Sequence, residues 1–565
     1  MRGIGDMHLM GKKKELALAI VLVLSLYCLS IAIVRPFGEF PLNDDWSYAK
    51  TVKTYAETGK IQFTSWVRMT FIAQMYYGAA FVRAFGFSHL ILRISTMILA
   101  AFTLVIFFAM LRTAGISVWN SVLGSICLLA NPFFLGNSFT FMSEIPYLFW
   151  ILVATLLYSR SCEGDAPLWL ALPAGMAASA AVLVRQTAIL LPVAAVLSVM
   201  MSKHTRRARV WASTLVFSLF PLASLFAFEV WLHVVHGPIP ATWQTRHLAS
   251  FALMCRHLIE MPIVSVFYLG LLLIPVTLPF GLVPLLRRRD KGPAAVGFVA
   301  LGVLSLYAVL KGATWLGIPD RWKELSFFSA NLMPYLGNSW FDLQTFGQGP
   351  YILKDVIVLR QLSAVTCPAW VFWVMTALSA PLGAAFIAVL WKGFPGVWKA
   401  PTIVRFSGVA ALLHIGLLVF QDFYLDRNLL PVFPLALLLL LFIVRESRAS
   451  RILTGLCAVL LSVVTVAGVF HYHRWNEARW RAIDFLTKEA GARPYQIDGG
   501  FEYNGWMFFD DYFGPPKGDN SWWWVHDDKY ILAFSDIEGY RVLKRFPFRA
   551  AVPGIANEML VLERD

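Results

Sequence analysis

Residues 16–34 read LALAIVLVLSLYCLSIAIV and follow the basic run KKK at 12–14. Because this stretch has no charged side chain and can cross roughly 30 Å of hydrocarbon as a helix, it predicts a membrane span. The RPF sequence at 35–37 offers no small-residue cleavage site. We therefore interpret the stretch as an uncleaved signal anchor whose lysines keep the N-terminus in the cytoplasm.

Apolar runs of this kind recur along the whole chain. Of its 565 residues, 58% are apolar and 15% are charged, whereas an ordinary soluble domain has roughly 25% charged residues. The composition excludes a soluble globular enzyme, a disordered chain and a disulfide scaffold. The sequence predicts a polytopic α-helical membrane protein with about 13 transmembrane helices, at 16–34, 90–111, 117–135, 145–159, 167–184, 187–201, 210–235, 263–286, 294–310, 368–391, 402–420, 429–444 and 452–470.

The basic residues predict how the chain is oriented. With the N-terminus inside, the cytoplasmic loops hold about one Lys or Arg in three residues, against about one in ten in the outer loops. This bias accounts for the net charge of +14 without a nucleic-acid partner. We expect an integral protein of the cytoplasmic (inner) membrane, in contact with its lipids. Because the number of predicted spans is odd, the C-terminus should lie outside.

The predicted domains are a transmembrane domain at 1–470 and an extracytoplasmic domain at 471–565. Two long outer loops, 35–89 and 311–367, interrupt the first domain. The segment 67–85 is interpreted as an interfacial helix, because counting it as a span would put the later basic clusters outside. In the C-terminal domain, the alternating stretches YILAF (530–534) and YRVLK (540–544) indicate strands, and 475–490 indicates a helix. The sequence thus predicts a small α/β domain on the outer face.

Three acids lie at the predicted outer boundary of the membrane. Asp44 and Asp45 precede a predicted helix at 46–57, and Glu144 precedes the fourth span. Helix capping is one explanation, with Asn43 or Asp44 as the first cap and Ser143 as the second. The other explanation is catalysis, with a general base in the first loop. Ionisable residues at the edge of a span are costly and usually functional, but the sequence leaves both explanations open.

Two arginines share this boundary. Arg185 lies between two predicted spans, where it either extends to the headgroups or binds a lipid phosphate. Arg427 begins the twelfth span, where its charge opposes the helix dipole and calls for an anionic partner. That partner is either a nearby acid, Asp422 or Asp426, or a phosphate. We find no nucleotide-binding, zinc-protease or serine-hydrolase motif.

In this order the motifs resemble those of the GT-C glycosyltransferases. The closest resemblance is to the branch that holds protein O-mannosyltransferases and the lipid A aminoarabinose transferase. Paired acids followed by an interfacial helix are similar to its first outer loop, and the second acid, 100 residues later, has the spacing typical of that branch. The segments 142–147 (MSEIPY) and 426–431 (DRNLLP) resemble its later motifs, although Asn428 replaces the usual aromatic residue.

The resemblance implies a GT-C fold and a polyprenyl-phosphate-sugar-dependent, inverting hexosyl- or pentosyltransferase. The acceptor would be an extracytoplasmic saccharide, lipid or protein of the cell envelope. Asp44 would be the general base, and Asp45 and Glu144 would orient the acceptor. The same two acids would hold a divalent cation if one is used.

The resemblance also implies roles for the remaining polar residues of the boundary. Arg185 and Arg427 would bind the donor phosphate and stabilise the leaving group. Asp426 and Tyr424 would bind substrate.

Two other functions remain open from the sequence. A transporter or flippase of lipid-linked saccharides would need a polar path through the membrane and would not depend on Asp44. A non-catalytic envelope assembly protein would use the acids as helix caps alone.

Overall fold

The computed structural model describes residues 2–64, 66–67, 69–164, 166–202, 207–236, 251–287, 291–315, 369–420, 426–444, 448–509, 524–525, 527–551 and 557–565. This part of the chain is mainly helical, with one small sheet near the C-terminus. The α-helices are Arg2–Val34, Asp45–Thr58, Ile72–Phe85, His89–Thr113, Val118–Leu129, Pro132–Ser138, Glu144–Ser161, Ala171–Val182, Leu190–Met200, Ala208–His236, Phe251–Leu272, Ile274–Thr277, Val283–Leu286, Lys291–Trp315, Ala369–Val397, Thr402–Leu417, Val432–Ile443, Arg448–Asp484 and Phe501–Phe508. The short 3-10 and π turns are Leu168–Leu170, Gln186–Ile189, Leu278–Leu282, Leu418–Phe420, Asp426–Leu429, Phe485–Glu489 and Pro494–Gln496.

Seven helices in the described residues are long and apolar enough to cross a membrane, or nine if each of two bent pairs is one span. The chain is therefore an integral membrane protein. Three of the thirteen predicted spans correspond to shorter apolar helices, Leu168–Val182, Gln186–Met200 and Val432–Ile443. The full count of thirteen stays a prediction.

The third predicted span, at 117–135, is broken rather than continuous. Its two halves, Val118–Leu129 and Pro132–Ser138, meet at an angle of 68°. Asn131 starts the second half, because its Oδ1 accepts hydrogen bonds from the backbone N–H groups of Phe133 and Phe134. The Asn-Pro sequence thus ends one helix and caps the next.

The predicted boundary between the two domains falls within one helix. Arg448–Asp484 runs from an apolar first part into a polar second part, and the predicted helix at 475–490 is its continuation. The sequence 471–484 has neither glycine nor proline. The sequence becomes polar after residue 470, which is why a domain boundary is predicted there. Because no residue breaks the helix at this point, it continues past the predicted boundary.

A four-stranded sheet follows, with strands β1 (Ile497–Asp498), β2 (Tyr530–Ala533), β3 (Tyr540–Pro547) and β4 (Glu558–Arg564) in the order β1-β2-β4-β3. The β1–β2 pair is parallel and the other two pairs are antiparallel. The strands predicted at 530–534 and 540–544 are both present.

The loop between the helices Arg2–Val34 and Asp45–Thr58 packs against the C-terminal part of the chain. Phe40 and Leu42 are buried in the same apolar cluster as Trp475 of the long helix and Leu532 of β2. Gly505 also packs directly against the Trp46 ring. The contact is so close that a Cβ at position 505 would lie 2.5 Å from the ring. The loop that carries the paired acids is therefore held between the membrane helices and the sheet.

Candidate active site

Asp44 stands at the N-cap position of the helix Asp45–Thr58, but its side chain makes no capping hydrogen bond. Its Oδ1 instead accepts a hydrogen bond from Trp66 Nε1 at 2.8 Å. Its Oδ2 lies 3.2 Å from Arg427 Nη2, and the Asp44 side chain is 16% exposed. The capping explanation for Asp44 is therefore wrong, and the carboxylate faces an arginine from a distant part of the sequence.

Glu144 is the first residue of the helix Glu144–Ser161, and Ser143 before it makes no capping hydrogen bond either. Glu144 Oε1 lies 2.5 Å from Arg185 Nη2 and 3.3 Å from Arg427 Nε. The other oxygen, Oε2, is buried without a hydrogen-bond partner in the described part of the chain. Because a buried carboxylate oxygen without a donor is costly, Oε2 is a candidate acceptor for a substrate hydroxyl.

Arg185 and Arg427 connect these acids. Arg185 precedes the turn Gln186–Ile189, and its Nε donates to Ser143 Oγ at 2.8 Å. Arg427 lies in the turn Asp426–Leu429 and contacts both Asp44 and Glu144. We call the four side chains Asp44, Glu144, Arg185 and Arg427 the acid–arginine cluster. Arg427 thus contacts two acids from distant parts of the sequence, one before the helix Asp45–Thr58 and one at the start of the helix Glu144–Ser161.

Three other residues near Arg427 in the sequence were predicted as site residues or as its partners. Asp426 is buried in the same turn, and its part in substrate binding stays a prediction. Asp422 and Tyr424 lie outside the described residues.

Asp45 points away from the acid–arginine cluster, although it is the next residue after Asp44. Its Oδ1 accepts a hydrogen bond from the Leu42 N–H at 2.6 Å, and its Oδ2 accepts one from the Phe141 N–H at 3.1 Å. The residue is 3% exposed. Burial raises the pKa of Asp45 to about 7, against the lowering effects of Arg93 and the two backbone donors. These two hydrogen bonds join the backbone at Leu42 to the backbone at Phe141, and we expect Asp45 to act there rather than in catalysis.

Arg93 fixes the backbone just before the paired acids. This fully buried guanidinium donates hydrogen bonds to the carbonyl oxygens of Pro36, Gly38 and Phe40, at 3.0, 2.7 and 2.6 Å. The planar guanidinium has several N–H donors and can therefore bind several carbonyl oxygens at once. Arg93 and Asp45 together hold the segment that presents Asp44.

Several side chains of the site were not identified from the sequence. Trp66 binds Asp44, Asn428 accepts a hydrogen bond from Arg185 Nη1 at 3.4 Å, and the buried Tyr48 lies within electrostatic reach of all four cluster residues. Asn428 had a signal, since it interrupts the aromatic pattern that the family resemblance implies. Trp66 and Tyr48 had none, because aromatic residues are frequent throughout this chain.

The residues predicted to hold a divalent cation do not suit one. Both oxygens of Asp45 are taken by backbone N–H groups, and Glu144 Oε1 is taken by two guanidiniums. The described residues contain no group of three or more His, Cys, Asp or Glu side chains that could hold a metal ion. A divalent cation needs several oxygen ligands, and only Glu144 Oε2 remains beside two positive charges.

No protein-family model matches the chain, and no curated protein matches it either. Among solved structures, the chain is similar to ArnT from Cupriavidus metallidurans, bound to undecaprenyl phosphate at 12% identity and in the apo state at 13% identity. Each alignment covers 96% of this chain and 97% of the ArnT chain, with a TM-score of 0.37.

A second similarity is to the S. cerevisiae protein O-mannosyltransferase Pmt1-Pmt2 complex bound to its sugar donor. It has 15% identity and a TM-score of 0.32, and it covers 39% of this chain and 33% of that chain. This second neighbour is a protein O-mannosyltransferase, which is one of the kinds of protein that the sequence motifs resemble. Because the TM-scores are low, the function proposed below rests on the acid–arginine cluster.

Proposed function

We propose that the chain is an inverting glycosyltransferase that moves a sugar from a polyprenyl-phosphate donor to an acceptor on the outer side of the cytoplasmic membrane. One observation carries the proposal: Arg427 contacts Asp44 at 3.2 Å and Glu144 at 3.3 Å. Two acids and two arginines therefore meet at one point, although neither acid caps its helix. This arrangement supplies a base and a phosphate-binding group together.

Asp44 acts as the general base in this mechanism. It takes the proton from the acceptor hydroxyl while the acceptor oxygen forms a bond to the anomeric carbon of the sugar. The bond between that carbon and the phosphate oxygen breaks, and polyprenyl phosphate leaves with the electron pair. Attack from the side opposite the phosphate inverts the anomeric centre. The Trp66 N–H and Arg427 fix the direction in which the Asp44 carboxylate points.

The two arginines bind the phosphate of the donor and of the leaving group. Guanidinium groups match phosphate oxygens in charge and geometry. Arg185 is braced by Ser143 and Asn428, and both arginines are only partly exposed, at 16% and 12%. Preorganised cations in such surroundings stabilise developing charge without reorganising during the reaction.

Glu144 has two parts in this proposal. Its Oε1 orients both arginines, and its buried Oε2 accepts a hydrogen bond from a sugar hydroxyl. The removal of that carboxylate would thus disturb phosphate binding and sugar binding together.

A lipid-linked donor suits the proposed topology. We propose about 13 spans, a cytoplasmic N-terminus and an outer C-terminal domain, which places the acid–arginine cluster at the outer leaflet. Nucleotide sugars are absent there. The transferred sugar is a hexose or a pentose, and the acceptor is a saccharide, a lipid or a protein of the cell envelope.

The test is transfer of radiolabelled sugar from a panel of polyprenyl-phosphate sugars in membranes that carry wild type or Glu144→Gln. We expect transfer by wild type and about a hundredfold slower transfer by the variant, because both arginines lose the carboxylate that orients them toward the developing charge. The matched control is Asp484→Asn, which alters an exposed acid paired with Lys488 and should transfer at the wild-type rate.

Transfer by Glu144→Gln at the wild-type rate would contradict the proposed site. Movement of the labelled lipid across the membrane without any transfer would favour the transporter instead.

A further inference from the structure

The residue before Asp44 adopts an unusual backbone conformation. Asn43 has a φ of 56°, in the left-handed region that few non-glycine residues occupy, although asparagine tolerates it. Its side-chain Oδ1 accepts a hydrogen bond from the Asp44 N–H at 2.9 Å. The conformation of the Asn43 backbone therefore sets the position from which the Asp44 side chain extends.

A glutamate from the far end of the sequence holds this conformation. The Asn43 N–H donates to Glu502 Oε1 at 3.1 Å, across 459 positions of the chain. Glu502 lies in the first turn of the helix Phe501–Phe508 and is 1% exposed. A charged acceptor makes a stronger hydrogen bond to a backbone N–H than a neutral one does.

Glu502 is itself held in place. Its Oε2 lies 2.6 Å from Arg479 Nη1, and neither side chain of this pair is more than 1% exposed. The Arg479 guanidinium lies over the rings of Trp475 and Trp480, at 5.3 and 5.8 Å from their centroids. The carboxylate thus has one fixed orientation, with one oxygen on Arg479 and the other on the Asn43 backbone.

The same short helix contacts the Asp44 segment at two more points. Gly505 lies against the Trp46 ring without room for a Cβ. Trp66, which donates to Asp44, packs against Phe501 at a ring distance of 5.8 Å. Three contacts from Phe501–Phe508 therefore converge on the residues around one carboxylate.

We propose that Glu502 is a positioning residue: it sets the Asp44 carboxylate through the Asn43 backbone and touches no substrate. The proposal rests on the proposed function, in which Asp44 is the base. It gives the C-terminal domain a defined part in the reaction. Transfer by the membrane helices depends on a carboxylate that the outer domain supplies.

The activity test uses the full-length protein with Glu502→Gln, which keeps the side-chain shape and loses the charge. We expect kcat to fall about tenfold with KM within about twofold, because small misplacement of a catalytic group lowers the rate of the bound complex. The matched control is Glu558→Gln, which alters a partly exposed acid paired with Arg545 and should leave kcat unchanged.

A double substitution separates positioning from simple loss of stability. In an Asp44→Glu background the carboxylate is already displaced, so Glu502→Gln should lower kcat by less than about twofold there, since coupled residues are not additive. An equal fall in both backgrounds would overturn the proposal.

Hydrogen exchange tests the positioning without any activity. The Asn43 amide should exchange at least about tenfold faster in Glu502→Gln, because its acceptor is weakened, while Glu558→Gln leaves it unchanged. An unchanged Asn43 rate would overturn the proposal even if transfer is observed. Faster exchange in a chain that transfers no sugar would support the positioning and count against the proposed function alone.

Discussion

Two groups of charged residues contact the same short loop, one through Asp44 and the other through Asp45. They differ in the kind of group that their charged side chains contact. In the acid–arginine cluster, Asp44 contacts the side chains of Trp66 and Arg427. In a second group, Asp45 and Arg93, which we call the inner group, the direct hydrogen bonds within the described residues go to backbone groups, at Leu42, Phe141 and three loop carbonyls. One peptide bond separates the two acids.

The difference separates the residues that hold the loop from the residues that we propose carry the chemistry. Backbone N–H and carbonyl groups are fixed partners, so the inner group holds the loop in one conformation. Side-chain partners can be exchanged for a substrate phosphate or hydroxyl, which suits the acid–arginine cluster for binding. We therefore expect changes in the acid–arginine cluster to affect transfer and changes in the inner group to affect stability.

The largest expected effect is on transfer by Asp44→Asn. Loss of the base should lower kcat by about 10³- to 10⁴-fold, at the upper end for general-base catalysis. The melting temperature in detergent should stay within a few degrees of wild type, because the shape of the side chain and most of its contacts remain. A large fall in melting temperature would place Asp44 with the inner group instead.

The next effect is on stability, through Arg93→Met. Removal of this guanidinium leaves three loop carbonyls and the buried Asp45 without their cation, which should cost about 3–5 kcal/mol of unfolding free energy. Thermal unfolding in detergent measures the loss. The control is Arg83→Met, an exposed arginine over the Tyr55 ring, which should cost at most about 1 kcal/mol. Equal losses in the two variants would contradict the role given to Arg93.

The smallest effect is on the pH dependence of stability. Burial raises the pKa of Asp45 from its ordinary value of 3.8 to about 7 in the folded protein. Between these two values the folded state therefore binds one more proton than the unfolded state does. The stability that this proton contributes is fully present below about pH 4 and is lost as the pH rises through 7. The unfolding free energy should therefore fall by about 1.4 kcal/mol between pH 6 and 8. Asp45→Asn should remove that slope from the melting temperature. A wild-type slope that persists in the variant would assign it to another group.

The sequence was informative wherever a pattern is local. Apolar runs predicted the membrane helices, alternation predicted β2 and β3, and polarity at the edges of spans identified all four residues of the acid–arginine cluster. It was not informative about contacts between distant segments. Nothing in the order of residues indicates that Arg427 meets Asp44, or that Glu502 meets the Asn43 backbone.

The pair Asp44 and Asp45 shows this limit most clearly. Both residues have the same side chain and follow one another in the sequence, and the sequence analysis assigned both to catalysis. The division between them follows from the left-handed conformation of Asn43 and from Phe141, whose N–H binds Asp45. Both depend on tertiary structure that no local pattern encodes.

The most direct test of this account compares Asp44→Asn with Asp45→Asn in the same transfer assay, per mole of folded protein. We expect the first variant to retain about 0.1% of wild-type kcat or less, and the second to retain most of it while unfolding at a lower temperature. The reverse result, with transfer lost only in Asp45→Asn, would show that the base is the buried acid and would contradict the division of roles proposed for this loop.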